Sequence, residues 1–313
     1  MVRFIAQRLI AGVTLLIVIS TVAYLLMFLG SSNVARNLLG PTATTEQVSA
    51  LEAQLGLDKP LLVRYWDWLS HAVTGDLGTS WSSRAPVTEL VTSRVGVTLS
   101  LLIGAVVLTA IVAVLLGAWA ASAGGWVDRV IQVSSVFVGA VPNFLVALVL
   151  VYVFALSLGW FQPTGYTPPE ASVTAWLSAI TLPVLALAVG SIAGVAQQVR
   201  GSMIDQLRKD YVRTLECRGL SARRILLRHV LRNSAGPALN VLAVLFVAMI
   251  GGAVVIEQIF AIPGLGSLTV SSSLSGDIPL TMGIVVTTVI IVVILNLLVD
   301  LVQAWLNPKV RLS

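Results

Sequence analysis

The densest group of ionisable side chains lies between residues 200 and 232, where nine of the nineteen basic residues of the chain are found. Gly219 allows a sharp turn within this stretch, and Ser221 is placed to cap a helix over 222–232. One face of that helix is basic and the opposite face is apolar. The basic face has Arg224, Arg228 and Arg232, and the apolar face has Ile225, Leu226, Val230 and Leu231. Such a helix can bind anionic lipid headgroups or fit into a groove of a partner protein, and spacing alone leaves both open.

Residue patterns for hydrolysis or metal chemistry do not occur. A phosphate-binding P-loop needs a lysine followed by Ser or Thr, but the three lysines are followed by Pro60, Asp210 and Val310. Neither His71 nor His229 begins an H-E-x-x-H zinc motif, and there is no G-x-S-x-G nucleophile motif. We therefore expect a chain that is not an enzyme and that itself holds no cofactor and no metal.

The elements that position the basic stretch follow from the composition. The chain is 57% hydrophobic and only 11% charged, whereas soluble proteins carry roughly a quarter charged residues. Six long stretches lack ionisable residues, and each has room for a helix of the ~20 residues that cross a bilayer. The sequence therefore predicts an all-α integral protein of the cell membrane with six transmembrane helices. They are expected at about 9–30, 97–121, 132–158, 177–199, 236–257 and 280–306.

The distribution of Lys and Arg predicts the orientation of these spans. Short cytoplasmic loops are rich in basic residues, and 200–232 is basic while loops 159–176 and 258–279 have no Lys or Arg. Both termini and the basic loop are then cytoplasmic, and the long segment 31–96 is extracellular. This bias also explains the net charge of +5, so no nucleic-acid partner is expected.

The segment between the first two spans is expected to fold. Thr44 and Gln47 have the spacing of a capping box for a helix over 45–55 that ends at Gly56. A second helix with regularly spaced apolar residues is expected from Pro60 to Gly75. This pair either covers the outer mouth of a path or lies at the level of the lipid headgroups.

Residues that interrupt helices occur in three of the predicted spans. They are Pro142 and Asn143 in the third span, Pro183 and Gly194 in the fourth, and Gly251 and Gly252 in the fifth. Such breaks are tolerated where they line a cavity or where other helices supply hydrogen bonds. They are predicted to line a path, although small residues such as the glycine pair also allow close helix packing. Glu257 is expected to orient a loop, and Asp300 to pack between helices or lie at the membrane interface.

The basic stretch resembles one class of transporter. Residues 210–233 read DYVRTLECRGLSARRILLRHVLRN, which is similar to the B-type permeases of the dipeptide, oligopeptide and nickel class of ATP-binding-cassette (ABC) importers. Glu216 and Cys217 stand where that class more often has Arg and Ala. Further segments resemble the same class in the same order. These are 56–61 with Tyr65, Trp68 and Leu69; Gly75 to Ser80 with Pro86 and Val87; Pro163 to Tyr166; Glu257 and Phe260 with Pro263 to Gly266; and Asn307 to Arg311.

This resemblance implies a permease subunit that forms a path for short peptides, with nickel chelates or other small solutes as the alternative cargo. It implies a second, homologous permease, two cytoplasmic ATPase subunits that bind ATP and Mg, an extracellular or periplasmic solute-binding protein, and membrane lipid as partners. An ion-coupled secondary carrier remains the alternative of another class; it would need charged residues within the spans or internal repeats, and neither is evident.

The resemblance also assigns residues to roles. A coupling loop over 200–235 would contact the ATPase through Gly219, Leu220, Ser221, Arg223, Arg224, Ile225, Leu226 and Arg228. Docking of the binding protein, or an outer gate, would involve Gly75, Asp76, Gly78, Pro263 and Gly264. The chain would divide into a first span (1–30), an extracellular segment (31–96) and a permease core (97–313).

Overall fold

The protein is helical throughout the part that this computed structural model describes, residues 2–29, 34–40 and 42–306. The helices are α1 Val2–Leu29, α2 Val34–Leu39, α3 Thr45–Gln54, α4 Leu61–Val73, α5 Val87–Ala123, α6 Gly125–Ala140, α7 Asn143–Leu150, α8 Val173–Leu207, α9 Asp210–Cys217, α10 Ala222–Ile225, α11 Leu231–Ile259, α12 Leu265–Ser275 and α13 Ile278–Leu306. Wider π-helical turns follow α7 over Val151–Ser157 and follow α10 over Leu226–Val230. In these ranges the extended pairing is a single bridge between Thr79 and Pro86. The predicted all-α class is confirmed, and the predicted tail motif at 307–311 lies outside the described residues.

Among the described residues, five helices are long and apolar enough to cross a membrane. They are Ala6–Phe28, Val87–Ala123, Val173–Leu207, Ala222–Ile259 and Ile278–Trp305. The predicted third span is interrupted at Pro142, as expected, because α6 and the helix from Asn143 to Ser157 meet at an angle of 94°. Pro142 lacks the backbone N–H that would continue α6, which explains the break at that position. This bent pair makes the sixth span if it is counted as one.

The predicted interruptions of the fourth and fifth spans are wrong. Pro183 lies inside the continuous helix α8, and α11 runs without a break through Gly251 and Gly252. Surrounding packing holds α8 helical around its proline, since Pro183 and its neighbours Leu182 and Val184 are buried. Of the predicted breaks, the one at Pro142 is observed.

The chain packs as two units, which are described separately. The N-terminal unit comprises residues 2–97 and 263–294, and the central unit comprises 98–262 and the residues from 295. These are units of packing, and the predicted functional division at residues 30 and 96 stays a prediction.

The N-terminal unit confirms both predicted helices between the first two spans. Thr44 Oγ1 accepts a hydrogen bond from Gln47 N, and the Gln47 side chain bonds back to Thr44 N, which completes the capping box of α3. Helix α4 begins directly after Pro60 and packs through Tyr65 against Tyr24 of α1, with the ring centroids 5.2 Å apart. Its opposite face is apolar and exposed, with Leu62 at 75% and Trp66 at 70% exposure.

In the central unit α8 is the innermost helix. Of its most apolar 18-residue window, 67% is buried, against 28% or less for the other four long helices. Helices α6, α7 and α11 all pack against it. Small side chains such as Ala186, Ala188 and Ala193 make this close packing possible.

Candidate functional site

The turn at Gly219 joins α9 to the basic helix. Gly219 has a φ of +76°, and the backbone N–H groups of Gly219 and Leu220 donate to Glu216 O at 2.8 Å and Leu215 O at 3.2 Å. This left-handed conformation favours glycine because it has no side chain to strain the backbone. The sequence-based expectation of a glycine turn here is confirmed. Ser221 occupies the cap position with extended backbone, but its side chain makes no capping hydrogen bond, so that part of the prediction is wrong.

The basic helix is the beginning of the fourth of the five long helices, which corresponds to the predicted fifth span. Residues Ala222–Ile259 form one helical run through the π-helical turn at Leu226–Val230. The prediction of a separate short helix over 222–232 is therefore wrong at its C-terminal end. No proline or glycine lies between Arg223 and Ala235 to end the helix, so the basic helix is the first part of a long apolar helix.

The predicted division of this helix into two faces is confirmed by burial. Ile225 and Val230 are buried in a core that includes Val212 of α9 and Met203 of α8. Ala113 of α5 and Leu242 of α11 belong to the same core. Ile225 was expected to belong to the ATPase contact, but burial places it in this internal core, where it anchors the segment.

The opposite face is exposed and basic. Arg223, Arg224 and Arg228 are exposed, and Leu227 among them is 53% exposed. We call these four residues, together with the exposed Arg232, the basic face. An exposed leucine between arginines suits a contact with another molecule. The sequence analysis did not include Leu227 in this contact, because it directly follows the apolar residues Ile225 and Leu226. Leu220, at the turn, and Leu226 are half-buried.

A small polar network ties the basic helix to its neighbours. Tyr211 of α9 donates to Gln206 Oε1 of α8 at 3.2 Å, and Asn233 Nδ2 of α11 donates to Tyr211 Oη at 3.4 Å. The tyrosine thus joins three helices near the turn. Together with the shared core, this network attaches the basic helix to α8 and α9.

The side chain of Asn143, directly after the break at Pro142, packs against two glycines. A Cβ atom at position 190 of α8 would stand 3.1 Å from Asn143 Oδ1, and one at position 252 of α11 would stand 3.5 Å from Asn143 Nδ2. Gly190 and Gly252 therefore leave the room that the amide of Asn143 occupies. Gly252 acts in close helix packing, one of the two roles expected for the glycine pair, while a Cβ atom on Gly251 would contact nothing within 4 Å.

Two of the resembling segments meet at the end of α11. Gly165 N donates to Phe260 O at 2.8 Å, which joins the loop after the bent pair to the loop after α11. Glu257 is fully buried and accepts a hydrogen bond of 2.6 Å from Thr98 Oγ1 of α5. Glu257 was expected to orient a loop, and Ile262 N does bond to the backbone oxygen of Glu257 at 2.8 Å. Its side chain, however, joins two helices.

The predicted docking motif at 75–80 lies in the N-terminal unit. Gly75 and Gly78 have positive φ values of 91° and 82°, and Asp76 Oδ1 accepts a hydrogen bond of 2.8 Å from Gly78 N. Asp277 fixes the end of this loop, since its Oδ2 accepts from Ser80 Oγ at 2.6 Å and from Ser82 N at 3.0 Å. Of the other predicted pair, Pro263 is exposed, whereas Gly264 is buried where α12 begins.

The chain matches known membrane components over most of its length. Residues 113–312 match the family described as binding-protein-dependent transport system inner membrane component. Residues 1–102 match the N-terminal membrane component of binding-protein-dependent transport systems. The chain belongs to this family. The permease is therefore a multi-pass protein of the cell membrane and a subunit of an ABC importer, which works with an ATPase and a solute-binding protein.

Full-length relatives agree with this assignment. The permease is 34% identical to a probable peptide ABC transporter permease of Sinorhizobium fredii, over 98% of its own chain and 99% of the relative. It is 34% identical to a putative peptide transport system permease of Brucella abortus, with 99% of each chain covered. It is 32% identical to a glutathione transport system permease of Salmonella choleraesuis, again with 99% of each chain covered.

Two polar clusters of the permease were missed by the sequence analysis. Asp277 is fully buried and also accepts from Leu280 N at 3.2 Å, so it caps α13 as well as holding the loop. An Asp just before an apolar run is a recognisable helix-start signal that could have found it. Asp128 of α6 forms a bidentate pair with Arg200 of α8, with Nη2 to Oδ2 at 2.5 Å. Nothing in the local sequence indicates that pair.

Proposed function

We propose that this permease forms, with a second homologous permease, the translocation path of an importer for short peptides. Support for the cargo comes from relatives whose names state peptide or glutathione transport. Nickel chelates and other small solutes are the alternative within the same transporter class. The ATPase activity belongs to two separate cytoplasmic subunits that bind ATP and Mg, and this chain contributes no cofactor.

The orientation in this proposal follows the positive-inside rule. Both termini and the coupling segment lie in the cytoplasm, and residues 31–96 lie outside, where Gly75, Asp76 and Gly78 meet the solute-binding protein or form part of an outer gate. The exposed apolar side of α6, with Trp126 at 75% and Phe137 at 72% exposure, suits contact with lipid or the second permease.

One observation carries the coupling mechanism, namely that the two faces of the basic helix have different surroundings. The basic face is exposed to a partner, while Ile225 and Val230 pack in a core shared with α5, α8 and α11. In the proposed cycle, ATP-driven closure of the ATPases displaces the basic face. The buried face then moves the spans, which open outward to receive solute, and ATP hydrolysis restores the inward state. Such coupling requires that the spans have two arrangements, and that both the ATPase contact and the solute site shift the equilibrium between them.

Charge reversal tests the docking role. We expect the double variant Arg224→Glu, Arg228→Glu to lose the ATPase subunits on purification in mild detergent and to lose ATP-dependent uptake. The single variant Arg36→Glu is the control, because Arg36 is exposed and lies in the segment 31–96, which this proposal places outside the cell. If the double variant keeps its ATPases and loses only affinity for anionic vesicles, the basic face binds lipid and the docking role is wrong.

Uptake by the reconstituted complex tests both cargo and energy source. Proteoliposomes with all subunits are expected to accumulate labelled di- and tripeptides only when ATP is enclosed in their lumen, the side that the ATPase subunits face. Accumulation of a nickel chelate but not of peptides would select the alternative cargo. Uptake driven by an ion gradient through this chain alone would select the secondary carrier and overturn the importer mechanism.

A further inference from the structure

A pocket of about 380 Å³ lies within the N-terminal unit, between the end of α1, helix α4 and the first turn of α13. Its lining includes Tyr24, Lys59, Val63, Arg64, Trp68 and His71. The volume falls in the range of ~300–1,000 Å³ that is usual for small-ligand sites. The pocket combines cationic groups with an aromatic wall. Asp76 and Gly78, proposed above for docking or an outer gate, form one edge of it, whereas Lys59, Arg64 and Trp68 have no role in that proposal.

Two buried donors beside the pocket have no hydrogen-bond acceptor. Arg64 is 9% exposed and its guanidinium carbon lies 5.4 Å above the Phe28 ring, yet its Nη1 makes no hydrogen bond. Trp68 Nε1 is likewise buried without an acceptor. Leaving such donors unpaired is costly, most of all for a charged group. A ligand with several acceptor oxygens would remove this cost.

The pocket also contains two acidic groups, of which the Asp76 carboxylate is hydrogen-bonded within its own loop and the Asp67 carboxylate lies 3.9 Å from His71 Nδ1. His71 Nδ1 is also 2.8 Å from the backbone oxygen of Asp67. That backbone hydrogen bond, together with the Asp67 carboxylate, raises the pKa of His71, which favours its cationic form. With His71 cationic, the lining has three cationic groups (Lys59, Arg64 and His71) against two carboxylates, which favours an anionic ligand.

The position of the pocket along α1 indicates where that anion comes from. The membrane-crossing part of α1 is Ala6–Phe28, so Tyr24 and Phe28 lie in its last two turns. Aromatic residues with a polar edge concentrate at this level of a membrane, where headgroups begin. Val63, 55% exposed, adds an apolar border to the pocket, and Leu62 and Trp66 extend an apolar surface along α4.

We propose that this pocket binds the phosphate of a phospholipid headgroup, with Arg64 and Trp68 as donors and Lys59 at the rim. The acyl chains would then lie against the exposed apolar residues of α1 and α4. The bound lipid would fix α4 to the end of the first span. This assignment goes beyond the transport function and holds for either orientation of the span, since headgroups lie at both ends.

Lipid binding by the purified, delipidated transporter complex tests the site. The probe is dihexanoyl phosphatidylglycerol, a soluble short-chain phospholipid, and native mass spectrometry measures the affinity of the first bound molecule. Arg64→Gln is expected to weaken this binding at least about tenfold, the effect of losing a charge-assisted hydrogen bond. Arg36→Gln, at an exposed arginine of the same unit, is expected to bind like the native protein.

Further arms separate the sources of the anion. Phosphate-free dihexanoylglycerol and inorganic phosphate are both expected to bind far more weakly than the probe. Equal binding of dihexanoylglycerol would reduce the site to an apolar groove, and equal binding of inorganic phosphate would make it a site for free anions. The solute-binding protein could instead displace the probe and lose its own affinity for the Arg64→Gln variant. That result would make the pocket a contact site for this protein. Each of these results overturns the proposal.

Two milder variants decide the matter if Arg64→Gln does not assemble. Arg64→Lys keeps the charge but removes the planar fork of donors, and Trp68→Phe keeps an aromatic ring but removes the buried N–H. Both are expected to bind the probe several-fold more weakly. Native affinity in both variants would show that these donors do not contact the headgroup.

Discussion

Substitution of Gly219 tests whether the turn before the basic helix is needed for coupling. Its φ of +76° is disfavoured for residues with a Cβ atom, at a cost of about 1–2 kcal/mol, and more for a β-branched side chain. A Cβ atom placed at Gly219 would contact nothing within 4 Å, so backbone conformation is the only source of strain. Asn adopts this conformation more readily than other residues. The structure therefore predicts a graded series in which Asn resembles Gly, Ala is impaired and Val is impaired most.

The magnitude follows from the same cost. A change of about 1–2 kcal/mol shifts the equilibrium between the native turn and other conformations by roughly 5- to 30-fold. We expect Gly219→Ala to reduce ATP-dependent uptake within that range and Gly219→Val to abolish it. The assay is initial uptake rate in proteoliposomes, paired with the ATPase rate that the solute-binding protein stimulates. The protein level in the membrane is expected to stay unchanged, because the turn is exposed.

Gly201→Ala is the matched control for this series. Gly201 lies inside α8 with ordinary helical geometry, and a methyl group added there would contact nothing within 4 Å, so alanine should be tolerated or slightly stabilising. Asn, Ala and Val differ in how readily they adopt the positive φ that the turn requires. Equal transport by Gly219→Asn, Gly219→Ala and Gly219→Val would therefore refute the proposed need for this turn.

Three further substitutions test contacts between distant parts of the chain. Asp277→Asn keeps the shape of the side chain but weakens its hydrogen bonds to Ser80 and Ser82. Thermal unfolding in detergent should therefore show a free energy of unfolding that is lower by about 1.5–3 kcal/mol. The control Asp58→Asn, at an exposed position, should show no change. Gly190→Ala should destabilise by about 1–3 kcal/mol through its contact with Asn143, and adding Asn143→Ala should restore part of that loss; additive effects would contradict the contact. Asp128→Asn should lower the unfolding temperature by removing the bidentate pair with Arg200, and an unchanged temperature would show that this pair contributes little.

Features that depend on neighbouring residues could be predicted from the sequence. The capping box at Thr44, the helix start after Pro60 and the turn at Gly219 all depend on residues within four positions of each other, and all are confirmed. Long apolar stretches likewise identify membrane helices because the bilayer imposes a minimum length. The break at Pro142 belongs to the same group, since proline lacks the donor that a helix needs.

Features that depend on packing could not be predicted in this way. Pro183 and the glycine pair at 251–252 are potential helix breakers, yet neighbouring helices keep α8 and α11 regular around them. Which glycines give space to Asn143 depends on how α7 lies against α8 and α11, and the sequence contains no local sign of it. The same holds for Ser80 and Asp277, which are 197 positions apart along the chain.

The continuity of the basic helix with the fifth span changes how coupling has to work. A separate short helix with a hinge on each side could rotate without moving the spans. Here Gly219 is the flexible connection on the N-terminal side only, and Ala222–Ile259 forms one helical run of roughly 55 Å on the other side. A displacement of Arg224 or Arg228 must then tilt this run or bend it at the π-helical turn or Pro237. Because Glu257 near its far end is bonded to Thr98 of α5, a tilt would strain that buried contact, which links the proposed ATPase surface to the opposite end of the span.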